Sequence, residues 1–306
     1  GIRDIGVTGV QTCALPIFEL KARFDEEANL EWKNVLEEEG VKVILGIPKM
    51  KVHAKVCVIK KRSKNKTIQY GFVSTGNLNE KTANFYGDHC LLTSNRNIMA
   101  DINKLFYYLE NPEGHESILE KCNTLMVSPL RMRKQINLMI DKEIKQAKKG
   151  KPASIILKLN ALSDTNLVHK LYVAANEGVN IELIIRGIYC AKRYLKKNES
   201  SPKAISIVDE YLEHARVLVF HNNGEQKVFI SSADWMVRNL DHRVEAACPI
   251  LNQHLRLELI ELLNIQLKDN IKARVLDVNF HNNYVPSLGK KKVRSQQAIY
   301  QLLYKK

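Results

Sequence analysis

The chain of 306 residues carries 47 Lys and Arg against 33 Asp and Glu, a net charge of +14, and its length suits about two domains, each able to bury its own core. That charge points to an anionic partner without choosing among nucleic acid, anionic membrane and polyanionic substrate. No apolar run approaches the ~20 residues needed to span a bilayer, and the scattered cysteines hold no CxxC pair, so neither a spanning helix, a disulfide framework nor a zinc site is indicated. A reducing cytosol fits best, with any contact at the inner membrane peripheral.

Residues 1–17, with GIRD and VTGVQTCALPI, resemble a translated sequencing adapter and are set aside as non-native. The protein proper is expected to begin near Phe18 and to extend upstream. From there ELKARFDEEANLEWKNVLEEEG predicts a helix capped by Asp25 and ended by Gly40, with Leu30, Trp32, Val35 and Leu36 as its apolar stripe. Strands follow over 41–47, 52–60 and, past the solvated turn KRSKNK, 67–75. Helices are expected over 79–86, with Asn77 and Glu80 spaced as a capping box, and over 95–109. The pattern breaks at Asn111 and Pro112, where NPEGHES marks a boundary between units 18–120 and 121–306. In the second unit come a helix over 129–148, the strand ASIILKL, a helix over 165–177 and the strand IELIIRG. Two paired strands carrying His214 and Ser231 follow, joined through Asn223 and Gly224, then a helix over 253–267 and a basic end with GKKKVR. Strands alternating with helices predict an α/β fold.

The stretch KMKVHAK places His53 and Lys55 two apart at the start of a strand, on one face. A neutral imidazole beside an ammonium suits phosphoryl transfer, although the same residues fit a basic strand edge with a surface histidine. The order repeats at His214, Ala215 and Arg216. Each histidine has a similar sequel, GFVSTGN and KVFISSAD, a strand ending in small hydroxylic residues whose following N–H groups are expected to be free for an anion. Two such units imply an internal duplication.

The pieces FELKARFDEEAN, KVHAKVCVI, STGNLNEKTANFYGD, LKLNALSD, LIIRG, AISIVDEYLEHARV, SSADWMVRNLDHRVE and the late YVP resemble, in order, the C-terminal half of the bacterial polyphosphate kinases of the first type. The resemblance covers Phe18 to the end and implies two tandem phospholipase D-like α/β/α domains. It implies that His53 is the phosphohistidine nucleophile and that His214 faces it as nucleotide contact and proton donor. Tyr86 and Arg186 match positions that contact ATP phosphates. Arg23 matches a position beside Mg2+, where an arginine can grip phosphate oxygens but cannot ligate the metal. Lys55, Asn77, Lys158, Asn160 and Arg243 are placed around the same phosphates, while His89 and His221 match no catalytic position. The implied partners are ATP or ADP, inorganic polyphosphate, upstream domains of the same chain and, at full length, further copies of it, with no nucleic acid. The implied reaction passes the terminal phosphoryl of ATP to His53 and then to the polymer, reversibly.

Two other readings were weighed. A phospholipase D-type phosphodiesterase has an aspartate five positions after each motif lysine, where this chain has Lys60 and His221, and Arg216 replaces the second lysine. A non-catalytic polyanion-binding module would bind without turning over ATP. Standing alone, the chain from Phe18 is expected to bind polyphosphate in a salt-sensitive way with little turnover.

Overall fold

A computed structural model describes residues 16–18, 26–47, 50–63, 66–190, 201–277, 279, 281–287, 289 and 291–305. The first half comprises β1 (Ile17–Phe18), α1 (Glu26–Glu38), β2 (Ile44–Leu45), β3 (Lys51–Val52), β4 (Lys55–Ser63), β5 (Lys66–Ser74), α2 (Glu80–Ala83), β6 (Tyr86–Gly87), β7 (Cys90–Thr93) and α3 (Arg96–Glu110). The second opens with α4 (Ser117–Glu120), β8 (Met126–Ser128), α5 (Met132–Ala147), β9 (Ser154–Leu159), α6 (Thr165–Asn176) and β10 (Asn180–Ile185). It continues through β11 (Lys203–Ile207), β12 (Leu212–Glu213), β13 (Arg216–Phe220), β14 (Lys227–Ser231), α7 (Val237–Asp241), β15 (Arg243–Pro249), α8 (Gln253–Leu267), β16 (Ala273–Val275) and α9 (Ser295–Tyr304). The fold is mixed α/β, as the alternation of elements predicted.

The largest sheet runs β16-β11-β10-β9-β13-β14-β15-β3, with β8 also on β15. Strands β9, β10 and β11 are parallel, and β13, β14 and β15 antiparallel. Period-two alternation splits each strand between two cores. Leu157, Leu183 and Leu218 face Ile136, Ile140 and Leu171 of α5 and α6. Val217, Val219 and Ile184 face Ile98, Ile102 and Leu105 of α3, together with Leu263 of α8. Because α3 belongs to the first half, the second of these cores is shared between the halves, while the first is built from residues 126–247. The duplication is visible in the order of parts: antiparallel β4, β5 and β7 with α2 and α3 repeat as β13, β14 and β15 with α7 and α8.

Several boundaries differ from those drawn on the sequence. The strand expected over 41–47 shrinks to Ile44–Leu45, and β4 and β5 run into the stretch read as a solvated turn, because paired strands satisfy each other's backbone groups even where side chains are polar. Helix α2 is only four residues long and is capped not by Asn77 but by Asn79, whose Oδ1 accepts from the N–H groups of Lys81 and Thr82. Tyr86 therefore lies on a strand. Leu30, Trp32 and Val35 of α1 are exposed, since spacing shows which face of a helix is apolar but not whether anything covers it. Pro16 and Ile17, assigned above to a non-native segment, are paired: Ile44 N–H donates to Pro16 O, and Ile17 aligns with Ile44. Asp25 lies outside the described residues. Among these residues no helix is long and apolar enough to cross a membrane.

Candidate active site

Two short parallel pairings bring the halves together, and they use the same register. In one, Lys51 aligns with Arg243 and Val52 with Val244, so the next residues, His53 and Glu245, meet. In the other, Leu212 aligns with Tyr86 and Glu213 with Gly87, so His214 and Asp88 meet. The backbone repeats as well. The N–H groups of His53 and Ala54 both donate to Val244 O, at 2.8 and 2.9 Å, and those of His214 and Ala215 to Gly87 O, at 3.2 and 2.9 Å. Each histidine of the duplicated motif is thus served by a carboxylate from the opposite half.

His53 is not inside a strand, as its spacing suggested, but in the break between β3 and β4. Its Nδ1 lies 2.9 Å from Glu245 Oε2 and 3.0 Å from Oε1. Glu245 also accepts from Asn239 Nδ2 at 2.7 Å and from the Ser232 hydroxyl. Burial pushes the Glu245 carboxyl up, but the imidazole, the charge of Lys55 and the Ser232 hydroxyl outweigh it and hold the pKa below the usual carboxylate range. Burial pulls His53 below the usual imidazole range despite Glu245. The ring is therefore neutral at pH 7 with its proton on Nδ1, leaving the Nε2 lone pair as a nucleophile. Lys55 begins β4 and folds back so that Nζ donates to His53 O at 2.6 Å. Burial, more than the nearby Arg216, lowers its pKa to about 7.

His214 stands immediately before β13. Its Nδ1 is 2.8 Å from Asp88 Oδ2, and Nε2 accepts from Arg216 Nη1 at 3.3 Å. A guanidinium is only a donor, so this ring too carries its proton on Nδ1. In this arrangement Nε2 has no proton to give, and the proton-donor role implied by the resemblance needs a prior protonation. Arg216 binds Asp234 through Nη2 at 3.1 Å and Thr75 O at 3.1 Å. Leaving either partner of so enclosed an ion pair alone costs about 3–5 kcal/mol. The Tyr86 ring packs on His214 with centroids 4.9 Å apart.

Asn160 and Lys158 are both engaged by protein partners. Asn160 Nδ2 donates to His214 O at 3.1 Å, and its Oδ1 accepts from Arg186 Nε at 3.0 Å, so both ends of the amide are engaged. Lys158 is 5 % exposed and its ammonium is paired with Glu213. Arg186 remains half-exposed, within electrostatic reach of Arg216 and Tyr86. Arg243 opens β15 beside Lys51, Asn77 is exposed just past β5, and Arg23 lies outside the described residues. The backbone groups expected to bind an anion are occupied: Gly76 N–H donates to Ser74 Oγ and Ala233 N–H to Ser231 Oγ, while those of Thr75 and Ser232 bond His89 O and Ala246 O. His89, read as structural, is half-buried near Lys158, and burial takes its pKa down to about 4.

The residues missed on the sequence are the two carboxylates, Asp88 and Glu245. Asp88 sits in FYGD and Glu245 in HRVE, pieces already singled out, but neither lies near its histidine in the chain. Gly76 supports Asp88 from beneath: a Cβ there would stand 1.9 Å from Asp88 Oδ2 and 2.3 Å from Cγ. Gly76→Ala is expected to push Asp88 off His214, so that the imidazole NMR signals of His214 shift while the thermal midpoint moves little. Spectra and melting curve, measured on one preparation, check this.

A family model described as polyphosphate kinase C-terminal domain 1 matches residues 10–115, and one described as polyphosphate kinase C-terminal domain 2 matches residues 125–296. The chain belongs to the polyphosphate kinase family. A polyphosphate kinase from Vibrio parahaemolyticus is 46% identical over 287 residues, covering 94% of this chain and 41% of the relative. One from Escherichia coli K12 is 43% identical over 284 residues, covering 93% of this chain and 41% of its own. The crystal structure of polyphosphate kinase from Porphyromonas gingivalis superposes with a TM-score of 0.83 at 38% identity, over 96% of this chain and 44% of that one. The chain thus spans less than half the length of these polyphosphate kinases. A phosphatidylserine synthase from Haemophilus influenzae, at TM-score 0.53 and 12% identity, shares the fold alone.

For a polyphosphate kinase the implied metal is Mg2+. Among the described residues no group of three or more His, Cys, Asp or Glu could hold one. The carboxylates at the site are each engaged: Asp88 and Glu245 by histidines, Asp234 by Arg216 and Glu213 by Lys158. These residues do not fit a protein-held Mg2+, and no step below depends on one.

Proposed function

We propose that the protein transfers the terminal phosphoryl group of ATP to inorganic polyphosphate, reversibly, through a phosphohistidine at His53. The observation that carries this reading is the neutral imidazole of His53, anchored at Nδ1 by the buried Glu245 and flanked by Lys55 and Arg216. As Nε2 attacks phosphorus, a P–N bond forms, the bond to the bridging oxygen breaks and its electron pair leaves with ADP. Positive charge grows on the ring and the Glu245 carboxylate stabilises it. Lys55 and Arg186 supply cations for the negative charge on the phosphoryl oxygens, with Arg216 held behind them by Asp234. In the second half-reaction a terminal oxygen of the polymer attacks and the P–N bond breaks, regenerating the neutral ring. His214, packed against Tyr86 and bonded to Arg216, orients the nucleotide phosphates.

Several partners belong to the same reading: ATP or ADP and polyphosphate as substrates, Mg2+ arriving on the nucleotide phosphates, upstream domains and further copies of the chain. So does a cytoplasmic setting with peripheral contact at the inner membrane. The test is incubation of the full-length chain, with the upstream domains of this reading in place, with γ-labelled ATP. The expected product is a protein-bound label that is acid-labile and base-stable and is chased into polymer by polyphosphate. Cleavage of a model phosphodiester without labelling, or polyphosphate binding with neither, would sink the proposal.

The shifted groups give the reaction a pH signature. His53 must be neutral, so kcat/KM falls with acid through a pKa below the usual imidazole range; Lys55 must be charged, so it falls again as pH rises through about 7. Bound phosphate favours the ammonium and moves the alkaline limb of kcat upward. In Lys55→Arg the alkaline limb is expected to vanish, because the guanidinium stays charged. Profiles of both proteins from about pH 5 to about pH 9 decide it, and an unchanged limb in the variant would assign that ionisation elsewhere.

A further inference from the structure

Helix α9 reaches the residues just before His214 through the side chain of Gln296. Gln296, its second residue, donates from Nε2 to Tyr211 O at 2.8 Å and to Glu213 Oε1 at 2.9 Å, and its Oε1 accepts from Tyr211 N–H at 3.0 Å. Its amide thus pairs with residues 211–213 as a neighbouring strand would. The other oxygen of Glu213 is taken by Lys158 and by Gln266 Nε2 at 2.7 Å. Burial pushes Glu213 up, but Lys158 and the amide donors hold it below the usual carboxylate range, so it is an ionised anchor. The residue after Glu213 is His214, and β12 also carries the pairing to Tyr86.

The segment needs such a tie. Val208 is 66% and Tyr211 48% exposed, so little apolar packing fixes the approach to His214. The start of α9 is held by other contacts: Arg294 binds Asp209 with two hydrogen bonds, at 2.8 and 2.7 Å, and the N–H of the fully buried Ser295 donates to Asp269 Oδ2 at 2.7 Å. Losing the Gln296 amide therefore leaves the helix docked while removing its tie to residues 211–213, which keep the pairing to β6 and the bonds of Glu213 to Lys158 and Gln266.

We propose that Gln296 is a positioning residue, which through Glu213 and Tyr211 sets His214 and Tyr86 in place for phosphoryl transfer. This rests on the function proposed above. Gln296→Leu keeps the side-chain volume and removes all three hydrogen bonds. In the full chain it is expected to slow labelling of His53 by about 10- to 100-fold, with the loss on kcat and the melting curve nearly unchanged. In a His214→Ala background the same substitution is expected to cost no more than about twofold, since a residue acting through another shows non-additivity. An undiminished rate, or the full multiplicative loss in that background, would overturn the proposal. Gln296→Glu, which keeps the acceptor for Tyr211 N–H but sets a carboxylate against Glu213, replaces the leucine variant if that one fails to fold. Should the unmodified chain form no phosphohistidine, the function proposed above fails by itself. The imidazole NMR signals of His214 then decide: shifted in the Gln296 variant they support positioning, and unmoved they refute it.

Discussion

In His53→Ala, both ATP-dependent labelling of the protein and polymer synthesis are expected to be lost entirely. No other imidazole of the site can take over. The Nε2 of His214 is engaged by Arg216, and both bonds of that ring are fixed by Asp88 and Arg216 together. His89 stands apart, among Lys158, Asp88 and Glu213. In the unmodified protein the label should disappear in acid and survive base, as a phosphoramidate does and a phosphate ester does not. Since His53 is half-buried with Nδ1 on Glu245, alanine would leave that carboxylate short of one donor, while Asn239 and Ser232 still hold it. Folding is therefore expected to survive, which a melting curve checks. Label at the wild-type level in the variant would remove His53 from the chemistry.

His214→Ala is expected to slow transfer by about 10²- to 10⁴-fold without abolishing the label, the range for loss of a group that orients or protonates reacting phosphates. Its effect spreads through its contacts. Arg216 loses the acceptor at Nε2, Asp88 loses its Nδ1 donor, and Tyr86 loses the ring it packs on. Asp88→Asn should follow in the same direction with a smaller loss, because an amide nitrogen turned toward Nδ1 would favour the other tautomer and set an N–H against the Arg216 guanidinium. Single-turnover labelling of both variants measures this. A His214→Ala rate within about threefold of wild type would exclude a part in transfer.

The repeated order of histidine, alanine and base, followed by a strand ending in small hydroxylic residues, was legible because it is local: residues within a few positions share a strand and its turn. The same holds for α3, α6 and α8, whose caps Asn95, Asp164 and Asn252 stand where a polar residue precedes an apolar period. Lys158 and Asn160 stand out by their motif, yet their partners Glu213, His214 O and Arg186 come from elsewhere in the chain, since a motif shows which residues go together and not which way each one faces. The strand Arg243–Pro249 and the helix Ser295–Tyr304 were not drawn at all. The first reads as a short mixed run, and the second follows a basic stretch that resembles a solvated tail.

The chain's order of residues by itself carried the alternation of strands and helices and the repeated order of histidine, alanine and base, since these depend on spacing and on residue chemistry. Tertiary structure alone decided which carboxylate serves which imidazole. Glu245 is 192 positions from His53 and Asp88 is 126 from His214, and they meet only because β3 pairs with β15 and β6 with β12 in the same register. That pairing buries the carboxylates and the lysine together. Burial sets the protonation states: the enclosed Lys55 and His53 lose affinity for protons as water is excluded, and Glu245 remains charged because three donors converge on it. No residue's neighbours in sequence carry that information, because desolvation depends on everything that surrounds a group in space.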